Sequence, residues 1–477
     1  MHLIGTESAN IPNALAEREV KPRSKLTFLG QSAFYGTLAA ILFVAVSYGT
    51  IDIWRRSIFI AVIAVFGVLR VLDGVRCGAL TIARPVLLLP LTGVLLLAAL
   101  QISRSFGISV DPYNTAVFLV AFGGLVVTFE LLSFYSNSAG RVRVLVGLVL
   151  IIGVGSALFG ILKEYFPGIP PGILAGYSEP EQGFGQFQNR NHFAVLLEMS
   201  FGLLLGILIK GEFSRRAKFA GWIISAIMIS GIIASSSRGG LISLAALSSF
   251  AVFVHVLTRK SQTSESSPHS NSGGVFTKLT IGKAGAAVGS SLLIVILVWA
   301  AIGFLGGDYV VTRVEKIREE VAVPDGTKVN RNIIWRSTLD MIKERPVIGS
   351  GLGAYAEAIP RFDRTNGKFA LEQAHNDYLE LLASGGIVGF ALFAAFFVLV
   401  AIRIVNNLRS ADHVIQPLCF GASIGIFGVL IHSFVDFGLH IMVNALVITL
   451  LIVIATMDQR EIKGNGGKVH EVNFGPA

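Results

Sequence analysis

The chain has 477 residues, of which 53% are hydrophobic and only 14% charged, against about 25% charge in an ordinary soluble protein. With a mean hydropathy of +0.69, this excludes a disordered chain, a disulfide scaffold and a soluble enzyme, and leaves an all-α polytopic membrane protein. The net charge of +9 would suggest nucleic acid in a soluble chain, so the placement of the basic residues decides its meaning.

Residues 1–30 hold Arg18, Lys21, Arg23 and Lys25 ahead of the first apolar run, with no apolar stretch of their own, so they are expected to form a cytoplasmic tail and not a cleaved signal. Crossing about 30 Å of hydrocarbon takes about 20 apolar residues. Twelve segments qualify, with cores near 31–49, 57–72, 84–101, 113–135, 144–162, 192–209, 219–236, 240–257, 284–305, 378–402, 414–434 and 438–456. Spans 1 to 9 make a bundle over 31–305, and spans 10 to 12 occupy 376–457, ahead of a second cytoplasmic tail at 458–477.

Three connections are longer than turns. Residues 163–191 are rich in Gly, Pro and aromatics (Phe166, Tyr177, Phe184, Phe187) and are expected to pack as irregular structure on the outward side. Residues 258–283 contain SQTSESSPHSNSGG, a polar linker facing the cytoplasm. The loop 306–375 is the largest polar part; helical periodicity is expected at 310–321 and 331–344, with Pro346 closing the second helix and Gly349, Gly351 and Gly353 making a tight turn. Alternating the spans puts 22 of the 39 Lys and Arg inside and 17 outside, 11 of these in the long loop. Long loops cross with little regard to charge, so both termini are expected in the cytoplasm. The basic excess then reads as a topology signal, and nucleic acid drops out as a partner. Cys77 and Cys419 match no metal or redox spacing.

In so apolar a chain, ionisable groups at the outer face are the functional candidates. Arg238, in SSSRGG before the eighth span, either binds lipid headgroups or makes bidentate bonds to a phosphate. Arg190, Asn191 and His192 open the sixth span, where a helix start suits an anionic headgroup; the other reading is a polar cap anchored at the interface, with Glu198, further in, satisfied by a neighbouring helix. His375 opens the tenth span, capped by Asn376 or Asp377, and is either an interfacial histidine or a proton acceptor near neutral pH. His432, Asp436 and His440, four apart, could share a helical face and hold a metal. Gly438 interrupts that face, so hydrogen-bonded hairpin residues are the favoured reading.

The runs NRNIIWRSTLDMIKERPVIGSGLGAYAEAIPRF (330–362) and AHNDYLELLASGGIVGF (374–390) resemble the O-antigen ligase and Wzy-type polymerase family of envelope glycosyltransferases. SSSRGGLISLAA (235–246), QNRNHFA (188–194) and HSFVDFGLHIMVNAL (432–446) are similar to its other recurring segments, in the same order. The resemblance implies a C-type glycosyltransferase bundle in the bacterial inner membrane. Its donor would be an undecaprenyl-pyrophosphate-linked glycan and its acceptor lipid A core or another glycan, with inversion, no cofactor and no metal. Carried over, Arg238 and Arg190 would bind the donor pyrophosphate, with Asn191 beside them, and His375 would help activate the acceptor. Arg331, Arg336 and Arg361 in the long loop, and Asp436 in the last hairpin, are secondary substrate-binding candidates. The acceptor stays open: ligase, repeat-unit polymerase and protein glycosyltransferase all fit. A lipid-linked sugar transporter or flippase is the competing class, and a non-catalytic scaffold a third. A transporter would place charge along a path through the bilayer, whereas here the candidates gather at one face.

Overall fold

The computed structural model describes residues 26–47, 53–78, 80–166, 183–258, 331–364, 371–410 and 412–457, and the backbone of 471–472. The expected ninth span (284–305), the helix at 310–321, the linker 259–283, most of both tails and Tyr177 lie outside these residues. Eight helices come first: α1 (Phe28–Val46), α2 (Ile53–Arg76), α3 (Pro85–Ile102), α4 (Pro112–Tyr135), α5 (Ala139–Tyr165), α6 (Arg190–Lys210), α7 (Arg215–Ala234) and α8 (Arg238–Thr258). The long loop contributes α9 (Arg331–Glu344), over the residues expected, then the short α10 (Tyr355–Ala358) and a 3-10 turn, Ile359–Phe362. The chain closes with α11 (Asp377–Leu408), α12 (Ile415–His432), a 3-10 turn Gly438–His440 and α13 (Met442–Ala455).

Among the described residues ten helices are long and apolar enough to cross a membrane: α1 to α8, α11 and α12. The twelfth expected span, 438–456, is helical only over Met442–Ala455. At 1.5 Å per residue these 14 residues rise about 21 Å, less than a bilayer core, because the chain spends 433–441 turning between α12 and α13. The preceding helix, α12, ends at His432, two residues short of the expected 434.

The middle of the bundle is α6 against α12. Nearly all of α6 is buried, in contrast to the lipid-facing α2 and α7. Small residues let the two backbones meet: a Cβ on Gly206 would lie 2.3 Å from Gly421 Cα, and one on Gly202 2.6 Å from Gly425 N. Close approach of this kind is how helices associate where no hydrophobic drive separates them from lipid.

Sequence periodicity reads residues 378–402 as one continuous span; the structure breaks it at Gly386 (φ 62°, ψ −168°). The break frees backbone groups at membrane depth, where each must be satisfied by protein. The glycine turn of the long loop does this. Ser350 N donates to Ala383 O (3.0 Å), Gly351 N to Ser384 O (3.0 Å), Ile387 N to Pro346 O (2.8 Å) and Val388 N to Val347 O (3.1 Å). Buried Gln101 of α3 completes the joint, donating to Ile348 O (2.6 Å) and Ser384 O (3.0 Å) and accepting from Leu352 N (2.9 Å). Thus the GSGLG and ASGG runs are two halves of one joint, which sets the first half of α11 as a separate unit. Alanine at 386 would have to hold a positive φ with its Cβ 2.3 Å from Val347 O, a strain of about 1–3 kcal/mol. Gly386→Ala is expected to lower the midpoint of thermal unfolding in detergent, and Gly155→Ala, whose Cβ meets nothing within 4 Å, is expected to leave it unchanged or raise it.

Two features were not expected. The C-terminal tail returns as strand Glu471–Val472, antiparallel to Leu80–Thr81 in the α2–α3 connection. Of the aromatics in 163–191, Phe184 and Phe187 bridge to each other and pack edge-on against Phe193, as expected of packed loop structure, but Phe166 is exposed.

Candidate active site

Helix α6, α8, α11 and α13 all begin, and α12 ends, at one end of the bundle. Asn189 caps α6, its Oδ1 accepting from Asn191 N (2.9 Å), so Arg190, Asn191 and His192 form the first turn. Ser236 turns the chain with φ 54°, and buried Ser237 then accepts from Gly240 N (3.0 Å), starting α8 with Arg238. Ser237 Oγ also donates to Asn191 Oδ1 (2.8 Å). That bond sets the two arginine-bearing helix starts side by side, each with its positive dipole end at the same surface. Arg238 is exposed and Arg190 half-buried.

His375 is fixed on both sides. Asn376 caps α11, accepting from Tyr378 N and Leu379 N (both 3.0 Å), while its amide donates to Phe434 O (2.9 Å). Asp377 N donates to Ser433 O (2.9 Å), and Ser433 Oγ donates to Asp377 Oδ2 (2.7 Å). On the other side, Ala374 N donates to Glu380 Oε2 (2.9 Å) and Ala374 O accepts from Trp335 Nε1 (3.0 Å). Between these clamps His375 sits at φ 49°, a left-handed conformation that a non-glycine residue holds only where its surroundings over-determine it. The result is an imidazole 32% exposed at the surface, with Nδ1 3.4 Å from Oδ1 of Asp436.

Asp436 is fully buried. Burial alone would push its carboxyl up. The His375 bond, the His192 and His432 imidazoles and the Phe437 amide outweigh that and hold it well below the usual carboxylate range. Phe437 N donates to Oδ1 at 2.9 Å, and His192 Nε2 lies 3.9 Å from the same oxygen. The Phe437 ring packs edge-on between His192 (4.6 Å) and His375 (5.0 Å). A carboxylate behind Nδ1 holds the proton there and presents Nε2 outward as an acceptor.

The residues four apart in the last hairpin diverge. His432 turns inward to Glu198, Asp436 to His375, and His440 to Asp377 Oδ1 (3.6 Å) and Glu380 Oε1 (3.5 Å). The shared face is already broken where α12 ends at His432, ahead of Gly438, which begins the 3-10 turn, and Glu198 finds its partner on a neighbouring helix. Of the loop arginines, Arg331 and Arg336 are exposed on α9, which stands next to His375 through Trp335. Arg361 lies beyond the far end of that helix, paired with Glu344 at 3.6 Å. Sequence reasoning missed Glu380 and Trp335. Both hold Ala374, a neighbour of His375 in sequence, but nothing in their spacing marks them as its partners.

A family model described as O-antigen ligase matches residues 223–394. The match takes in Arg238, α9, His375 and the first part of α11 with its break at Gly386; Arg190, Asn191 and Asp436 fall outside it. Comparison with curated proteins finds no match.

Proposed function

We propose, from the match of residues 223–394 to the O-antigen ligase family model, that this multi-pass membrane chain is a glycosyltransferase acting at the outer face of the bacterial inner membrane. The donor is an undecaprenyl-pyrophosphate-linked glycan and the acceptor a hydroxyl of lipid A core. The observation that carries the reading is an outward imidazole, His375, backed by the buried Asp436, at the same end of the bundle as Arg190 and Arg238.

The step balances with these residues alone. The acceptor oxygen attacks the anomeric carbon as His375 Nε2 takes its proton, and the bond from that carbon to the pyrophosphate oxygen breaks with its electron pair staying on the leaving group. Negative charge spreads over the departing pyrophosphate, where Arg238 and Arg190 stabilise it more in the transition state than in the bound donor. One displacement from the face opposite the leaving group inverts the centre. Asn191 supports the anion site through Ser237, and Arg331 and Arg336 are placed for glycan contacts. The energy resides in the activated donor.

A repeat-unit polymerase would use the same groups and differ in its acceptor. The test is transfer by the purified protein in proteoliposomes given a lipid-linked glycan together with either lipid A core or a second lipid-linked repeat unit. Glycan appearing on lipid A core supports the ligase reading, and elongation of the lipid-linked repeat supports the polymerase. Movement of the donor across the bilayer with no new glycosidic bond would overturn both in favour of a transporter.

A further inference from the structure

Below the His375–Asp436 pair lies a second imidazole–carboxylate pair that the mechanism does not use. Glu198, two turns into α6, and His432, the last residue of α12, are almost completely inaccessible, with His432 Nδ1 3.0 and 3.2 Å from the two carboxylate oxygens. An ionisable pair buried among apolar helices is costly, and apolar side chains of similar volume commonly serve stability as well or better. Its value is in where it holds the ring. The far edge of the imidazole presses on the residue next to Arg238: a Cβ on Gly239 would lie 2.6 Å from Nε2 and 3.1 Å from Cε1. Meanwhile the His432 carbonyl accepts from Val435 N (2.9 Å) and Asp436 N (3.1 Å), starting the turn that delivers Asp436 to His375.

We propose that His432, gripped by Glu198 and seated against Gly239, is a positioning residue that sets Arg238 in register with the His375–Asp436 pair. The proposal rests on the reading that Arg238 binds the donor pyrophosphate. With Glu198 holding one edge, the ring cannot swing, so the first turn of α8 has a fixed stop against α12. Loss of the grip lets that turn shift, and a displacement of about 1 Å is enough to cost on the order of 100-fold in a positioned reaction.

The experiment uses the full chain in nanodiscs, with undecaprenyl pyrophosphate lacking a glycan as the binding probe and steady-state transfer measured against donor and acceptor separately. His432→Gln and Glu198→Gln are expected to weaken probe binding at least tenfold per folded molecule and raise the donor KM, with the acceptor KM unchanged. In an Arg238→Ala background neither is expected to weaken binding further, since both act through that arginine. Gly239→Ala, which keeps both partners but displaces the ring, is expected to show the same donor defect and decides the matter if the polar variants fail to assemble. Normal probe binding by folded His432→Gln or by Gly239→Ala, with Arg238→Ala impaired, would overturn this proposal alone. Normal binding by Arg238→Ala would overturn the pyrophosphate reading and this proposal with it.

Discussion

His375→Ala is expected to lower glycan transfer by about 10²–10⁴-fold, the usual contribution of a positioned general base, while the protein still inserts, with a lower unfolding temperature because buried Asp436 loses a partner. The side chain is one-third exposed, meets Asp436 and packs edge-on against Phe437, so its loss removes chemistry together with these two contacts. Asp436→Asn is expected to produce much of the same defect by another route. Asparagine keeps the shape and can still meet Nδ1, but it removes the negative charge that stabilises the imidazolium formed when His375 accepts a proton. Because the Asp436 carboxyl is held below its ordinary range, it is ionised throughout the range in which a histidine base works. The stability it contributes is present above the unfolded aspartate value, about 3.9, and is lost as pH falls through the lower folded value. Activity lost below neutral pH therefore does not report on Asp436. Rates measured from pH 5 to 9 on His375→Ala, Asp436→Asn and the parent would check this; a His375→Ala enzyme transferring at the wild-type rate would remove it from the reaction.

Arg238→Ala is expected to cost about 10²–10³-fold in kcat/KM, the scale seen when one donor to a developing anion is removed. The loss should divide between a raised donor KM and a lowered kcat, since the pyrophosphate is charged before and after the bond breaks but most in need of stabilisation as it leaves. Arg238→Lys keeps the charge and gives up the planar fork, so recovery is expected to be partial. Arg190→Ala should fall in the same direction with a smaller effect, because its half-buried guanidinium starts the neighbouring helix. Steady-state kinetics with donor varied at saturating acceptor separates these cases. An Arg238→Ala enzyme with an unchanged donor KM would show that the arginine serves lipid headgroups instead.

How much of this is legible in the chain itself differs from element to element. The helix at 331–344 and a cap at Asn376 or Asp377 follow from local pattern, because capping and periodicity act within a turn or two. The break in α11 does not. Residues 377–408 are apolar enough to read as one span, and only the segment 346–352, whose carbonyls and amides replace the missing helical bonds, makes an interrupted helix affordable there. The histidines of the last hairpin show the same limit. Spacing of four suggests one shared face, yet each side chain finds its partner on a different segment, up to 234 residues away for His432 and Glu198.

Alone, the sequence determined the membrane class and the bundle of helices, and it singled out Arg190, Arg238 and His375 as candidates. It could do so because hydropathy, helix capping and the cost of ionisable groups in lipid are local or compositional properties. Only the tertiary structure decided which groups act together: Asp436 behind His375, Glu380 and Trp335 holding the strained backbone beside it, and His432 wedged between Glu198 and Gly239. Those pairings are set by how α6, α8, α11 and α12 meet, and helix crossing in lipid depends on small-residue contacts such as Gly202 with Gly425, whose partners no periodicity along one helix reveals.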